Sequence, residues 1–410
     1  MNSLPIEIEA VAPPPYIFVT TEDCFHEMLE HLMAASRLAI DIEADSLYHY
    51  FEKVCLIQIS TDSDTYILDP LAIRNVKELA PLMCNPSVEK VFHAASYDTY
   101  CLRRDYDFAF VNIFDTHLAA QLLGYEFLGL STLMEEFLGV HHSKRRQRDD
   151  WSRRPLDSEQ LNYAAMDTHH LLQLRDVLEA ELQLKGRLGW AQEEFETAAS
   201  AERREKEFDP EGFRRIRGNR NLSLQDQVAL RALFLFRDEV ARKMDVPPFK
   251  VLNNSVLLDL AQRPPVSPEE LNRRGGVSSR VARKYSARIV SIIAEARKQN
   301  VSILEAPPRN NWKSPGRAAR LLLETLRLWR NEKARELGLQ IGVVFPASLL
   351  EHVAATPPAD MGELAALPAM RQWRVQEFGA ELLQLLRNGE SQIASPEAFG
   401  TMSDYGQRAS

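Results

Sequence analysis

The sequence predicts an α/β domain followed by two all-α helical bundles, and three observations carry that expectation. Short apolar runs of strand character alternate with helical patterns through the first half of the chain. Beyond Asn221 everything reads helical. The helical half also repeats itself: Leu233-Phe-Leu-Phe-Arg-Asp238 matches Leu326-Arg-Leu-Trp-Arg-Asn331, with Arg237 and Arg330 93 positions apart. The same offset pairs Ala241 with Ala334, Leu257 with Leu350, Pro264-Pro265 with Pro357-Pro358 and Leu271 with Leu364, an ungapped agreement that marks a duplicated domain.

The elements follow in order. Tyr16 to Thr20 reads as a first strand, and Thr21 with Glu22 and Asp23 as the N-cap and acidic first turn of a helix running to about Arg37. Leu38-Ala-Ile-Asp-Ile-Glu43 is the central strand, where period-two geometry sets Asp41 and Glu43 on one face. Two carboxylates that close raise each other's pKa unless a cation neutralises them, and an oxygen-seeking divalent ion is the economical partner. After a polar turn, Val54 to Ser60 and Thr65 to Leu68 form a hairpin around Thr61-Asp-Ser-Asp64. Helix over 75–83, strand over 90–93, helix over 95–103, strand over 108–114 and helix over 116–123 complete the alternation. Asp157 caps a long helix with Gln160 in a capping box, and Tyr163 and Asp167, four apart, share one face of it.

Composition bounds the function. The chain has 410 residues, 45% of them hydrophobic, enough for two or three domains with sizeable cores. The start carries acid and proline in place of the basic and apolar regions of a signal peptide, and no run reaches transmembrane length, so a cytoplasmic protein with no membrane association is expected. Cys24, Cys55, Cys84 and Cys101 show no C-x-x-C spacing and are expected as core or semi-buried thiols. The formal net charge is −9, but it is unevenly spread. Residues 1–214 hold 20 basic and 38 acidic side chains, whereas 215–298 hold 17 basic and 8 acidic. A basic lobe tethered to an acidic one is an electrostatic footprint for a polyanion.

Asp41 and Glu43, Asp98 within His93-Ala-Ala-Ser-Tyr-Asp98, and Tyr163-Ala-Ala-Met-Asp167 together resemble the three motifs of the DEDD 3′→5′ exonucleases. The flanking text resembles the ribonuclease D family among them: Val54 to Ser60, Phe114-Asp-Thr116, Gly129-Leu-Ser-Thr132, Asp150-Trp151, Arg154-Pro-Leu156 and Gln160 to Ala165. Tyr163 four residues before the last Asp places the chain in the tyrosine branch, and the resemblance spans about Ile17 to Leu184. Tyr97 departs from the acidic residues frequent there in relatives, a change expected to affect packing and not ligation. His141, His142, His169 and His170 fit no family motif and are expected on loops or helix surfaces.

The resemblance implies a ribonuclease H-like mixed sheet flanked by helices. It also implies phosphodiester hydrolysis with two divalent ions, Mg²⁺ or Mn²⁺, held by Asp41, Glu43, Asp98 and Asp167, while Tyr163 orients the attacking water. The implied substrate is RNA with a free single-stranded 3′ end, tRNA precursors above all, shortened by one nucleoside 5′-monophosphate at a time. Lys144, Arg145, Arg146 and Arg148, just before the last motif, are candidates for phosphate contact. Each helical repeat resembles the HRDC domain. Residues 1–205 are then the exonuclease domain, 206–216 a linker, 217–300 the first HRDC domain, 301–313 a linker, 314–390 the second, and 391–410 a disordered tail. Residues 310–388 hold 10 basic and 8 acidic side chains, so the first bundle, with Arg273, Arg274, Arg280 and Arg283, is expected to do most of the RNA binding and the second to pack or orient. A monomer is expected. A related DNA exonuclease and a catalytically silent RNA-binding scaffold are the alternatives; the complete carboxylate set counts against the second.

Overall fold

A computed structural model describes residues 13–200, 208–274, 276–298 and 316–394. Its first domain is a six-stranded mixed sheet, with strands β1 (Ile17–Val19), β2 (Arg37–Ala44), β3 (Val54–Ser60), β4 (Thr65–Leu68), β5 (Glu89–Phe92) and β6 (Ile113–Asp115) in the order β1-β4-β3-β2-β5-β6. β2, β3 and β4 pair antiparallel, while β1, β5 and β6 join in parallel. Every residue of β3 is buried, which is why that strand reads as an unbroken apolar run.

The helices α1 (Glu22–Met33), α2 (Ala80–Met83), α3 (Ser96–Tyr106), α4 (Thr116–Leu123), α5 (Leu130–Leu138), α6 (Ser158–His169), α7 (Leu171–Leu184) and α8 (Leu188–Ser200) cover both faces. Leu38, Ile40 and Ile42 of β2 point into one core with Phe25 and Met28 of α1 and Tyr100 and Leu102 of α3. The alternate residue Ala39 packs with α4, α7 and α8 on the other face. Strand alternation therefore sends Asp41 and Glu43 to that second face, under α6.

Two expected elements differ. α1 ends at Met33, and Arg37 opens β2, where its guanidinium binds Asp62 and Asp176. The strand expected over 108–114 shrinks to Ile113–Asp115, because Asp107 and Asn112 take positive φ and the chain between them sinks Phe108 and Phe110 into the core.

The helical half consists of α9 (Leu224–Met244), α10 (Pro248–Val251), α11 (Asn254–Gln262), α12 (Pro268–Arg273) and α13 (Ser279–Lys298), then α14 (Arg317–Leu337), α15 (Ile341–Val344), α16 (Ala347–Ala355), α17 (Met361–Ala365) and α18 (Gln372–Ala394). Each helix of the second set starts 93 residues after its counterpart. The repeat extends to single bonds: Arg237 donates to the Leu252 carbonyl at 3.1 Å, and Arg330 to the Phe345 carbonyl at 3.1 Å. The stretch expected as a linker over 206–216 is partly bundle, since Phe213 and Ile216 are buried in the core of the first one. The linker expected over 301–313 and all but the last helical turn of the tail lie outside the described residues.

The two bundles attach differently. The apolar core of the second runs without a break into α4, α7 and α8 of the sheet domain. Trp190 stacks on Trp373 at 4.5 Å, and Glu194 accepts from Arg371 (3.1 Å), Arg374 (2.9 Å) and the Trp373 indole (3.0 Å). Gly124, at φ +94, passes so close that a Cβ there would fall 2.0 Å from the Gly338 carbonyl oxygen. The first bundle keeps its own core, against which Tyr50 of the loop after β2 packs, and meets that loop through polar bonds: Asp245 accepts from His49 (2.7 Å) and the Tyr50 amide (3.0 Å), and the Tyr50 hydroxyl donates to Asp238 (2.6 Å).

Replacing Glu194 by Ala removes the ion partner of the Arg374 guanidinium, whose side chain is 7% exposed and which keeps only its bonds to the Val343 and Val344 carbonyls. The expected cost is about 3–5 kcal/mol, read by denaturant unfolding. A cost near zero would mean that this interface is open in solution.

Candidate active site

Three segments, β2, α3 and α6, supply the acidic side chains of the site. β2 supplies Asp41 and Glu43, both half-buried. α3 supplies Asp98, and its start is fixed by Asp115, whose carboxylate accepts from the amides of Ala94 and Ala95 (2.9 Å each) and of His117, the last at the N-terminus of α4. The Phe114-Asp-Thr116 motif thus sets the entry of α3, where Ala94 sits at φ +62. α6 supplies Tyr163 and Asp167. The Asp157–Gln160 capping box closes its N-terminus, and its fully buried Ala164 and Ala165 let it lie close to the sheet. Arg154 locks the approach to α6, clamping Asp69 with two bonds (2.6 and 2.8 Å) and donating to the Cys55 carbonyl.

Oxygens of Asp41, Glu43 and Asp167 lie within 4.8 Å of one another. Asp98 is not in that trio, yet its charge reaches both Asp41 and Glu43. All four carboxyls are pushed above the ordinary range, and burial is the first cause in each. For Asp41 the charges of Asp167, Asp98 and Glu43 follow, and for Asp98 those of Asp115 and Asp167. Among the described residues no Lys or Arg forms an ion pair with any of the four, and Asp167 Oδ2 is buried without a partner. An all-oxygen donor set that repels itself and holds an orphaned carboxylate oxygen fits a hard divalent cation.

Tyr163 lies against this cluster. Burial, then the charges of Asp167, Glu43 and Asp41, push its phenol far above its ordinary value, so the hydroxyl keeps its proton. Its ring stacks on His142 (5.1 Å) and lies beside Trp151 (5.9 Å). His142 corrects the expectation of a loop-surface histidine: it is 7% exposed, and its Nε2 lies 2.8 Å from Asp167 Oδ1. No spacing in the sequence signals this pair, which meets across 25 residues because the loop after α5 folds back over α6. His141 is exposed and lines a cleft of about 360 Å³ with Arg145, Arg146, Asn162 and Tyr163. His169 bonds Thr65 and His170 bonds Gln173.

The candidate RNA contacts divide. Lys144, Arg145 and Arg148 are exposed, whereas Arg146 is tied to Asp149, Asp157 and Glu159. On the first bundle Arg273, Arg280 and Arg283 are exposed, whereas Arg274 binds Glu270 and the Arg263 carbonyl. Among the described residues no helix is long and apolar enough to cross a membrane. The four cysteines are free thiols, with Cys55 and Cys101 buried and Cys84 exposed.

A family model described as a 3′-5′ exonuclease matches residues 16–183, and one for the HRDC domain matches 226–293 and 320–386. The chain is 30% identical to ribonuclease D of Nitrobacter hamburgensis over 84% of this chain and 88% of that protein. The catalytic core of RRP6 from Trypanosoma brucei superposes with TM-score 0.64 at 30% identity, covering 70% of this chain and 80% of that one. RNase D of Escherichia coli, 24% identical, shares the fold with TM-score 0.68 over 92% of this chain and 99% of that one.

The raised carboxyls make a pH signature. In the absence of divalent ions, folded and unfolded chains are both protonated below about pH 4, the unfolded carboxyl range, and the cluster costs nothing there. As pH rises past that range the unfolded chain ionises first, so the cluster removes stability. In EDTA, Asp41→Asn is expected to melt above the parent at pH 7, with the gap closing towards pH 4. Parallel melting curves at both pH values would contradict the assigned repulsion.

Proposed function

Because the chain belongs to the ribonuclease D family and is a hydrolytic, metal-dependent 3′–5′ exoribonuclease, we propose that Asp41, Glu43, Asp98 and Asp167 hold two divalent ions, Mg²⁺ or Mn²⁺, and that Tyr163 acts with them. The approach of the Asp41, Glu43 and Asp167 oxygens to within 4.8 Å, without a Lys or Arg among the described residues to neutralise them, is the observation that supports this reading. Bound there, the ions would supply an activated water and neutralise charge on the departing 3′ oxygen. Tyr163, protonated and held between its aromatic neighbours, donates a hydrogen bond that orients the water or the scissile phosphate, and deprotonation of the water is left to the ions. Nucleoside 5′-monophosphates leave one at a time.

The substrate proposed is a tRNA precursor or another folded RNA with a single-stranded 3′ tail, met by a monomer in the cytoplasm. The tail reaches the carboxylates past Lys144, Arg145 and Arg148, while Arg273, Arg280 and Arg283 of the first bundle hold backbone phosphates of the folded body. That bundle docks on the Asp45–Lys53 turn, which follows β2 directly, so the grip on the body and the catalytic strand share one support. The proposed domain bounds place this arm at 217–300, with Phe213 and Ile216 of the preceding stretch joined to its core, and the second HRDC domain at 314–390.

Asp41→Asn is expected to abolish hydrolysis of a 5′-labelled RNA in Mg²⁺ while RNA binding is kept. Substantial residual activity would refute the role of Asp41, and equal or faster shortening of a matched DNA tail would move the substrate to DNA. Charge reversal at Arg273, Arg280 and Arg283 is expected to weaken RNA binding and to flatten its salt dependence by about one logarithmic slope unit per lost phosphate contact. An unchanged slope would remove these residues from the RNA path.

A further inference from the structure

His142 belongs to none of the motifs that carry the family resemblance, yet it occupies a special place. Its Nε2 lies 2.8 Å from Asp167 Oδ1, its ring stacks on Tyr163 with planes 29° apart, and it is 7% exposed. Asp167 Oδ2, by contrast, is buried and has no hydrogen-bond partner among the described residues. Asp167 is the buried member of the close trio, whereas Asp41 and Glu43 are half-buried. A carboxylate on a helix can rotate about its terminal bond, and each misplaced rotamer would carry an oxygen away from the cation. A guanidinium would fork across both oxygens, whereas an imidazole N–H takes one and leaves the other free.

From this geometry we propose that His142 is a positioning residue for both Asp167 and Tyr163. Its Nε2–H fixes Oδ1 so that Oδ2 is presented to the cation, and its ring fixes the plane of the Tyr163 phenol. One side chain thereby couples the orientation of a metal-holding oxygen to that of the tyrosine hydroxyl one helical turn earlier on α6. The inference rests on the reading of the acidic cluster as a metal site. It adds a residue that acts through two others and does not touch the substrate. Outer hydrogen-bond partners of ligating carboxylates are commonly worth about 10–100-fold in metal affinity.

The test is Mn²⁺ binding to the full chain without RNA, followed by electron paramagnetic resonance, alongside circular dichroism in EDTA. If the parent chain binds no Mn²⁺, the metal-site reading fails and takes this inference with it. Given binding by the parent, His142→Phe keeps a ring but loses the donor and is expected to bind Mn²⁺ about 10–100-fold more weakly with unchanged fold. Parent-like affinity in that variant overturns the role of His142. His142→Gln keeps a donor at similar reach and is expected to restore most of the affinity while, with the stack lost, kcat at saturating Mn²⁺ stays low. Should the Phe variant fail to fold, the Gln variant decides: near-parent affinity supports the proposal, and a folded Gln variant that has lost Mn²⁺ binding overturns it.

Discussion

Mutual repulsion among buried carboxylates is the constraint on which the rest of the first domain depends. Asp41, Glu43 and Asp167 would separate if the chain allowed it, since burial disfavours ionisation of all three and neighbouring carboxylate charges add to this at Asp41 and Glu43, while His142 offsets it at Asp167. They are held together by rigid parts. β2 is paired on both sides, Asp115 pins the start of α3, Arg154 anchors the loop leading into α6, and the small faces of Ala164 and Ala165 bring that helix down on the sheet. Much of what looks like a string of separate motifs in the sequence is this support: each segment fixes one wall of a cluster that is unfavourable without a cation.

The helical half divides its work although its two copies are nearly congruent. Duplicated arginines make the same carbonyl bond in both bundles, and all five helices begin 93 residues apart. The surfaces have diverged. The second copy uses Trp373, Arg371 and Arg374 to bury itself against α8, so its core and that of the sheet domain are continuous. The first keeps a separate core, meets the sheet domain through a few polar bonds at the loop after Glu43, and retains exposed arginines on α12 and α13. Anchoring in one copy leaves the basic face of the other open.

Local periodicity and capping chemistry were legible in the sequence, and tertiary contacts were not. Asp41 and Glu43 declared a shared face through period two, Asp157 and Gln160 declared a helix start, and the 93-residue offset declared the duplication. Phe108 and Phe110 alternate as a strand would, but Asp107 and Asn112 at positive φ turn the segment into a loop, and no apolar pattern reports that. Phe213 sits in a charged stretch that reads as a tether, yet one buried aromatic is enough to join it to a bundle. Arg146 and Arg274 look as free as their neighbours in the sequence, and the acids that occupy them are reached only through folded loops and helix turns. His142 was missed for the same reason: its partners are defined by the way a loop returns over α6.

A cluster of carboxylates this unfavourable on its own is arranged to hold divalent cations. Anomalous diffraction from crystals soaked in Mn²⁺ tests it most directly. The expected result is anomalous peaks bounded by Asp41, Glu43, Asp98 and Asp167, with Asp167 Oδ2 as a ligand atom. Ordered Mn²⁺ elsewhere on the chain, with this cluster empty at saturating Mn²⁺, would contradict it.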